Sequence, residues 1–417
     1  MKIWVLEIGE PLPLEKNVRM HRYGMFTKWL AQKGHEVTWW TTSFSHTPKK
    51  NFVDSNCDKT IDGVTLRFMY SPGYQRNVSL ARIRHNKNFA IFFARNAEKY
   101  PPPDIIIAPI PTIEAAFEAV KFGKQNRIAT LLDIRDLWPD ELVDLFPKPL
   151  RGLSKFALKH AFGQMEFACS QATGIMGVAQ SYVDYGLKFA KRTLKETDLV
   201  FPLGYSDPPS AHEPLSFALR NDSFKVCFFG TLGRFFDIET VIKSAHEIER
   251  EFPVDFVIAG VGSNLENYKA MSTGISNVIF PGWLNANQIA ATMAICDVGL
   301  APYKVNAKMS LPNKPFEYMA GGLPIISSLQ GELKNYLEKY NCGLTYKADS
   351  VKELSDCIRT LRKNPKLREQ MKNNSRTLLN EHFTIEKIFT AAESHLTKVV
   401  KPACANPPSP EHSFYRP

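Results

Sequence analysis

The chain has 417 residues, 44% of them hydrophobic and 23% charged; this excludes a disordered or fibrous protein, and the length exceeds what one hydrophobic core usually organises, so two domains are expected. Lysine and arginine number 52 against 42 aspartates and glutamates, a formal net charge of +10 that favours anionic partners such as nucleotides and phosphates. The basic residues are scattered rather than striped, which argues against nucleic acid, and no run approaches eighteen apolar residues, so any membrane contact has to be peripheral.

From the start of the chain, residues 3–8 (IWVLEI) read as a strand, because the apolar run is short and lacks the small-residue cleavage site of a signal peptide. A polar loop follows, then Met20, Tyr23, Phe26 and Leu30 recur at helical spacing and Gly34 ends the helix. A second strand opens at His35. Further strands are expected at 64–70, 105–108, 129–134 and 174–178, with helices over 112–122 and 153–169 between them. Such alternation implies a mostly parallel sheet covered on both faces. Proline, glycine and serine cluster near 203–215 and mark a linker. The alternation then restarts, with strands ending near Gly230, Gly260, Gly282, Tyr303, Ser328 and Lys347, about 19 to 30 residues apart. That interval fits a strand and its crossover helix.

The boundaries expected are therefore a first Rossmann-like domain over 1–205 and a second over 206–383. An amphipathic helix over 384–400, with Ile388, Phe389, Ala392 and Leu396 on one stripe, is expected to pack back toward the first domain. A disordered tail over 401–417 carries five prolines. The seven cysteines form no CxxC pair and sit mostly among apolar residues. They read as reduced core residues, which fits the cytoplasm and argues against a zinc site. In two such domains the carboxyl ends of the strands should face a cleft between them, and ligands bind outside those ends.

Several post-strand segments carry chemistry. In Phe228-Phe229-Gly230-Thr231-Leu232-Gly233-Arg234, two glycines permit close backbone approach and the arginine fork suits phosphate oxygens; the competing reading is an ordinary tight turn. Gly260-Val261-Gly262 also follows a strand but is not a full dinucleotide fingerprint, because position 265 is leucine. In Pro312-Asn313-Lys314-Pro315-Phe316-Glu317, Asn313 reads as the cap of a helix whose N-terminus, with Lys314, would bind a pyrophosphate. Glu317, one turn on, would accept hydrogen bonds from a ribose diol. The competing reading is a capped surface helix with a solvated glutamate. In the first half, Asp133-Ile134-Arg135-Asp136-Leu137-Trp138-Pro139-Asp140 ends a strand with charges and an aromatic. This segment could place a sugar and its acceptor, or form a structural Arg–Asp pair. The loop 10–22 offers Arg19 and Arg22 as acceptor contacts, or is simply solvated.

The run from Pro312 through Pro324 resembles the sugar-nucleotide loop of glycosyltransferase family 4. Arg19-Met20-His21-Arg22-Tyr23, Gly34-His35-Glu36-Val37 and Cys296-Asp297-Val298-Gly299-Leu300-Ala301-Pro302 are similar to other parts of that family's pattern. Arg135-Asp136-Leu137-Trp138-Pro139 resembles its bacterial branch that builds O-antigen and capsular polysaccharides. The resemblance implies a GT-B fold, a nucleotide-diphosphate sugar donor, retention of anomeric configuration and no bound metal or other cofactor. It matches Arg234 to the family's phosphate-binding arginine and Glu317 to the second glutamate of Glu-x7-Glu.

Two departures stand out. The first glutamate of that motif is Met309 here. The usual lysine after the phosphate arginine is replaced by Phe235-Phe236-Asp237, so Lys314 is expected to supply that charge.

The expected donor site is Gly230, Gly233, Arg234, Gly262, Pro312, Asn313, Lys314 and Glu317. The acceptor contacts are Arg19, Arg22 and Trp138. The catalytic set is Arg135, Asp136, Arg234 and Lys314. The reaction expected is hexosyl or N-acetylhexosaminyl transfer, with a UDP-sugar favoured on family frequency. The acceptor is a saccharide or lipid-linked saccharide, and the location is the cytoplasm or the inner face of the cell membrane. A sugar-nucleotide epimerase of the same fold and a non-catalytic partner subunit remain as alternatives.

Overall fold

The computed structural model describes residues 1–15, 20–206 and 213–404. They form two units: one comprises Met1–Phe201 together with the chain from Phe389 onward, the other Pro202–Ile388.

The first unit contains β1 (Lys2–Leu6), α1 (Arg22–Gln32), β2 (Glu36–Thr42), the short strands β3 (Phe44–Ser45) and β4 (Lys50–Asn51), β5 (Cys57–Ile61) and β6 (Val64–Met69). It continues with α2 (Leu80–Asn96), β7 (Ile105–Ile110), α3 (Ile113–Asn126), β8 (Ala129–Ile134), α4 (Asp140–Asp144), α5 (Arg151–Ala157), α6 (Lys159–Gln171), β9 (Gly174–Gly177), α7 (Gln180–Ala190) and β10 (Leu199–Val200). Eight strands make one sheet in the order β10-β9-β8-β7-β1-β2-β6-β5. All neighbours run parallel except β5 and β6. Every residue of β7 and β8 is buried, because helices cover both faces of a parallel sheet.

The antiparallel β5–β6 pair is the exception in this mostly parallel sheet. Asp62 and Gly63 both adopt positive φ, 51° and 81°, which matches the turn geometry that closes a two-residue hairpin. The helix expected over 153–169 is interrupted at Leu158 and forms two segments, α5 and α6.

The second unit contains β11 (Phe224–Phe229), α8 (Ile238–Ile248), β12 (Val254–Ala259), α9 (Leu265–Met271), β13 (Val278–Ile279), α10 (Ala286–Ile295), β14 (Val298–Ala301) and α11 (Asn313–Ala320). After these come β15 (Ile325–Ser327), α12 (Glu332–Lys339), β16 (Gly343–Thr345), α13 (Val351–Lys363) and α14 (Pro365–Leu378). Its six strands are all parallel, in the order β13-β12-β11-β14-β15-β16. The chain moves outward from β11 to β13, returns to β14 on the other side of β11, and moves outward again. The loops after β11 and β14 therefore diverge at a topological switch point, where a ligand can reach backbone amides.

The last helix, α15 (Ile385–Cys404), is longer than expected. In the first unit its Phe389 ring lies 4.9 Å from Phe26 and its Glu393 accepts from His35 at 2.8 Å. The helix runs four residues into the segment expected to be a disordered tail. The remainder of that tail lies outside the described residues.

Candidate functional site

In the second unit the loops after β11 and β12 are locked together. The Gly230 amide donates to the Ala259 carbonyl at 2.9 Å and the Leu232 amide to the Val261 carbonyl at 2.9 Å. A Cβ on Gly260 would run into the Gly230 carbonyl, and one on Gly262 into the Leu232 backbone. Gly262 is thus required by the packing of one loop on the other.

Beside these loops α11 presents its N-terminus. Its cap is Pro312, with extended backbone and no side-chain hydrogen bond, so Asn313 is the first helical residue rather than the cap expected. The extended ψ of 169° at Pro312 ends the loop one residue early. Pro315, three residues in, loses nothing because amides of the first turn have no intrahelical acceptor. Pro315, Phe316, Tyr318 and Met319 are buried, and the Tyr318 hydroxyl donates to the Leu300 carbonyl at 2.8 Å, fixing the helix to β14. The polar face carries Lys314 and Glu317.

A pocket of about 280 Å³ forms between these parts, with Gly230, Thr231, Gly260, Trp283, Lys314 and Glu317 in its wall. The Lys314 ammonium reaches back over β11's end. It lies 4.6 Å from the Phe236 ring centroid and 5.7 Å from that of Phe228, within cation–π range. A Cβ on Gly230 would lie 2.5 Å from Nζ; glycine is what admits the lysine. Burial lowers the Lys314 pKa, and the Glu317 carboxylate opposes that shift.

Of the expected donor residues, Gly230, Lys314 and Glu317 line this pocket; Gly233, Arg234, Gly262, Pro312 and Asn313 do not. The Gly233 amide closes a tight turn onto Thr231 at 2.9 Å. Arg234 then points outward, exposed, with its guanidinium 4.7 Å from the Phe235 ring. Lys314, expected to supply the charge of the missing lysine, lines the pocket.

Trp283, 69% exposed, lines the pocket together with Leu284 and Ile289, and none of the three was expected there. Trp283 directly follows Gly282, a third glycine just beyond a strand, and that position was its only signal.

In the first unit the carboxyl ends of β1 and β8 hold an ionic network. Arg135 contacts Glu7 at 2.7 Å and Glu10 at 3.0 Å. Glu10 accepts from the amides of Tyr23 and Gly24 at 2.9 and 3.1 Å, at the start of α1. Asp133 is fully buried and bonds Arg22 and the Tyr23 hydroxyl, the latter at 2.8 Å. Burial pulls the Arg135 pKa down, yet Glu7, Glu10, Asp133 and Asp136 outweigh it and hold it above the usual value. Burial, against the pull of Arg135, raises Glu7.

Arg22, expected to face an acceptor, is 3% exposed. It is bonded to Asp133 and the Phe201 carbonyl. A buried guanidinium needs such partners, so Arg22 builds the unit rather than its surface. Arg135 is likewise held by carboxylates of its own unit.

Asp136 and Trp138 are half-buried beside it. Burial raises Asp136, and Arg135 and Arg82 lower it. The Arg82 guanidinium lies 5.4 Å from the Trp138 ring. Arg19 lies outside the described residues. Among the described residues, no group of three or more His, Cys, Asp or Glu side chains is arranged to hold a metal ion. No helix among them is long and apolar enough to cross a membrane.

Residues 213–378 match the family described as Glycosyl transferases group 1. The uncharacterized glycosyltransferase MJ1069 of Methanocaldococcus jannaschii is 24% identical over 172 residues, which is 40% of this chain and 43% of that protein. Among solved structures, Alr3699/HepE of Anabaena in complex with UDP superposes with a TM-score of 0.66 at 15% identity, covering 95% of this chain and 99% of its own. Sucrose-phosphate synthase of Thermosynechococcus elongatus superposes with a TM-score of 0.67 at 14% identity, covering 96% and 99%. The chain has the GT-B fold of these glycosyltransferases, with two parallel-sheet Rossmann-like domains.

Proposed function

We propose that this chain is a glycosyltransferase that binds a nucleoside-diphosphate sugar in the second unit's pocket and transfers the sugar to a saccharide acceptor. One observation carries the reading: Lys314 reaches over Gly230, and Glu317 follows one helical turn later in the same pocket. An ammonium, a helix N-terminus and a close-approach glycine together suit a diphosphate. Glu317 suits the vicinal hydroxyls of a ribose, and Trp283 offers an aromatic face for the base. UDP is the favoured nucleotide, and the HepE structure with UDP, of the same fold, supports that choice.

In the transfer the bond between the anomeric carbon and the diphosphate oxygen breaks, and the diphosphate departs with the electron pair. The acceptor hydroxyl oxygen bonds to the anomeric carbon, and its proton passes to the departing phosphate oxygen. Lys314 and the first amides of α11 stabilise the charge that builds on the leaving group. Arg234, exposed on a long flexible side chain, is the second cation for that diphosphate. Retention of configuration, and a saccharide or lipid-linked acceptor in surface polysaccharide assembly, follow the resemblance of Arg135–Pro139 and the donor loop to their family branch. In that reading Asp136 and Trp138 contact the acceptor, while Arg135 positions them.

The experiment is a thermal-shift screen against UDP, GDP and their sugars, followed by donor turnover in Lys314→Ala and Glu317→Ala. Stabilisation by UDP that both substitutions weaken, with turnover lost, supports the assignment. Wild-type turnover in both variants would overturn it.

A further inference from the structure

The second unit holds another cavity, larger than the first, of about 420 Å³. It opens at the carboxyl ends of β14, β15 and β16, on the opposite side of β11 from β12 and β13. Its wall includes three lysines, Lys304, Lys334 and Lys347. Carboxylates temper them, and Asp349 acts on Lys304 among them. Glu353 lines the cavity and accepts from the Lys347 amide at 2.7 Å, and Glu338 lies 3.7 Å from the Lys334 ammonium on the surface of α12. Three ammonium groups around one concavity repel one another, and an anion among them removes that repulsion.

The floor is polar in a different way. Ser328, Thr345 and Tyr346 each bring a hydroxyl to the wall. Tyr346 is 2% exposed, and its hydroxyl lies beside that of Ser328. The neighbouring Ser328 hydroxyl is already engaged, accepting from the Tyr303 amide at 2.6 Å and donating to its carbonyl at 2.7 Å.

We infer that this cavity is a second ligand site, and that its ligand is a phosphorylated sugar. The lysines bind the phosphoryl group and the hydroxyl-bearing floor, with Tyr346 at its base, takes the sugar hydroxyls. The volume is too large for a phosphate ion by itself and is within the range of small-molecule sites. None of its wall residues lines the Lys314 pocket, so the inference does not rest on the donor reading, and the two can fail separately.

The test is calorimetric titration of the full chain with glucose 6-phosphate, glucose and inorganic phosphate, each with and without saturating UDP. Glucose 6-phosphate is expected to bind more tightly than either fragment, with affinity changed less than about twofold by UDP. The double variant Lys304→Gln/Lys347→Gln should weaken it about tenfold or more, the scale of losing a charge-assisted contact, and leave UDP binding intact. Tyr346→Phe, which preserves packing, should weaken it by a smaller factor. Displacement of glucose 6-phosphate by UDP would overturn the second site. So would an unaffected double variant or no binding. Equal affinity for inorganic phosphate would overturn the sugar component.

Discussion

In the first unit Arg22 pairs with Asp133, and Arg135 with Glu7 and Glu10, at the ends of β1 and β8. In the second, Lys314 extends over two phenyl rings into a pocket, with Glu317 as the carboxylate acting on it. Both clusters lie just past parallel strands and look alike as strings of charged residues. The difference is where the neutralising charge comes from. Charges neutralised by their own unit build its architecture; a cation cushioned by aromatic faces keeps its field for an incoming anion.

The sharpest way to break that contrast is to remove one member of each cluster. Asp133→Ala leaves Arg22 buried beside only a carbonyl, and is expected to destabilise the first unit by about 3–5 kcal/mol in denaturant unfolding. Lys314→Ala is expected to leave unfolding nearly unchanged and to raise the UDP dissociation constant about 10- to 100-fold in calorimetry, as loss of a charge-assisted contact implies. Arg234→Ala should cost less than Lys314→Ala, because an exposed arginine is screened by water. Equal losses of UDP affinity in those two variants would show that Arg234 swings inward on binding. Trp283→Ala should weaken UDP by about 2- to 10-fold, the scale of an aromatic stacking contact, and leave affinity for pyrophosphate unchanged.

The two units should also differ in their response to pH. In the first unit burial, reinforced by Lys49 and Arg82 for His46 and by Arg82, His46 and Lys49 for His85, pushes both histidines down to about 4. The unfolded chain takes up those protons near pH 6.5 while the folded unit does not. Stability should therefore fall as pH drops from about 6.5 toward 4. His85→Gln should flatten that slope in urea midpoints followed by tryptophan fluorescence. On the alkaline side, the lowered Lys314 pKa means that UDP affinity should decline at a lower pH than an ordinary lysine would give.

Much of the molecule is readable along the chain. Apolar runs closed by Gly230, Gly260 and Gly282 locate three strand ends of the second sheet. The sequence from Pro312 to Gly322 locates a short helix with Lys314 and Glu317 on its polar face. These features depend on neighbours within a few residues, through hydrophobic periodicity and the backbone freedom of glycine. The antiparallel strand β5 escaped because its residues CDKTI have only an intermediate and exposed burial pattern, so no apolar alternation announces it.

What the sequence determined by itself is the pair of alternating α/β units and the residue types brought to their strand ends. Which charges are spent inside the protein was decided only in three dimensions. Arg135 finds Glu7 across 128 positions and Arg22 finds Asp133 across 111, and nothing local distinguishes those arginines from Arg234. Likewise Lys314 reaches its place over Gly230 because α11 is fixed to β14 through Tyr318, a contact made when the sheet assembles. Strand and helix follow from short-range sterics and periodicity; the direction and pairing of a long charged side chain follow from the full set of surrounding elements.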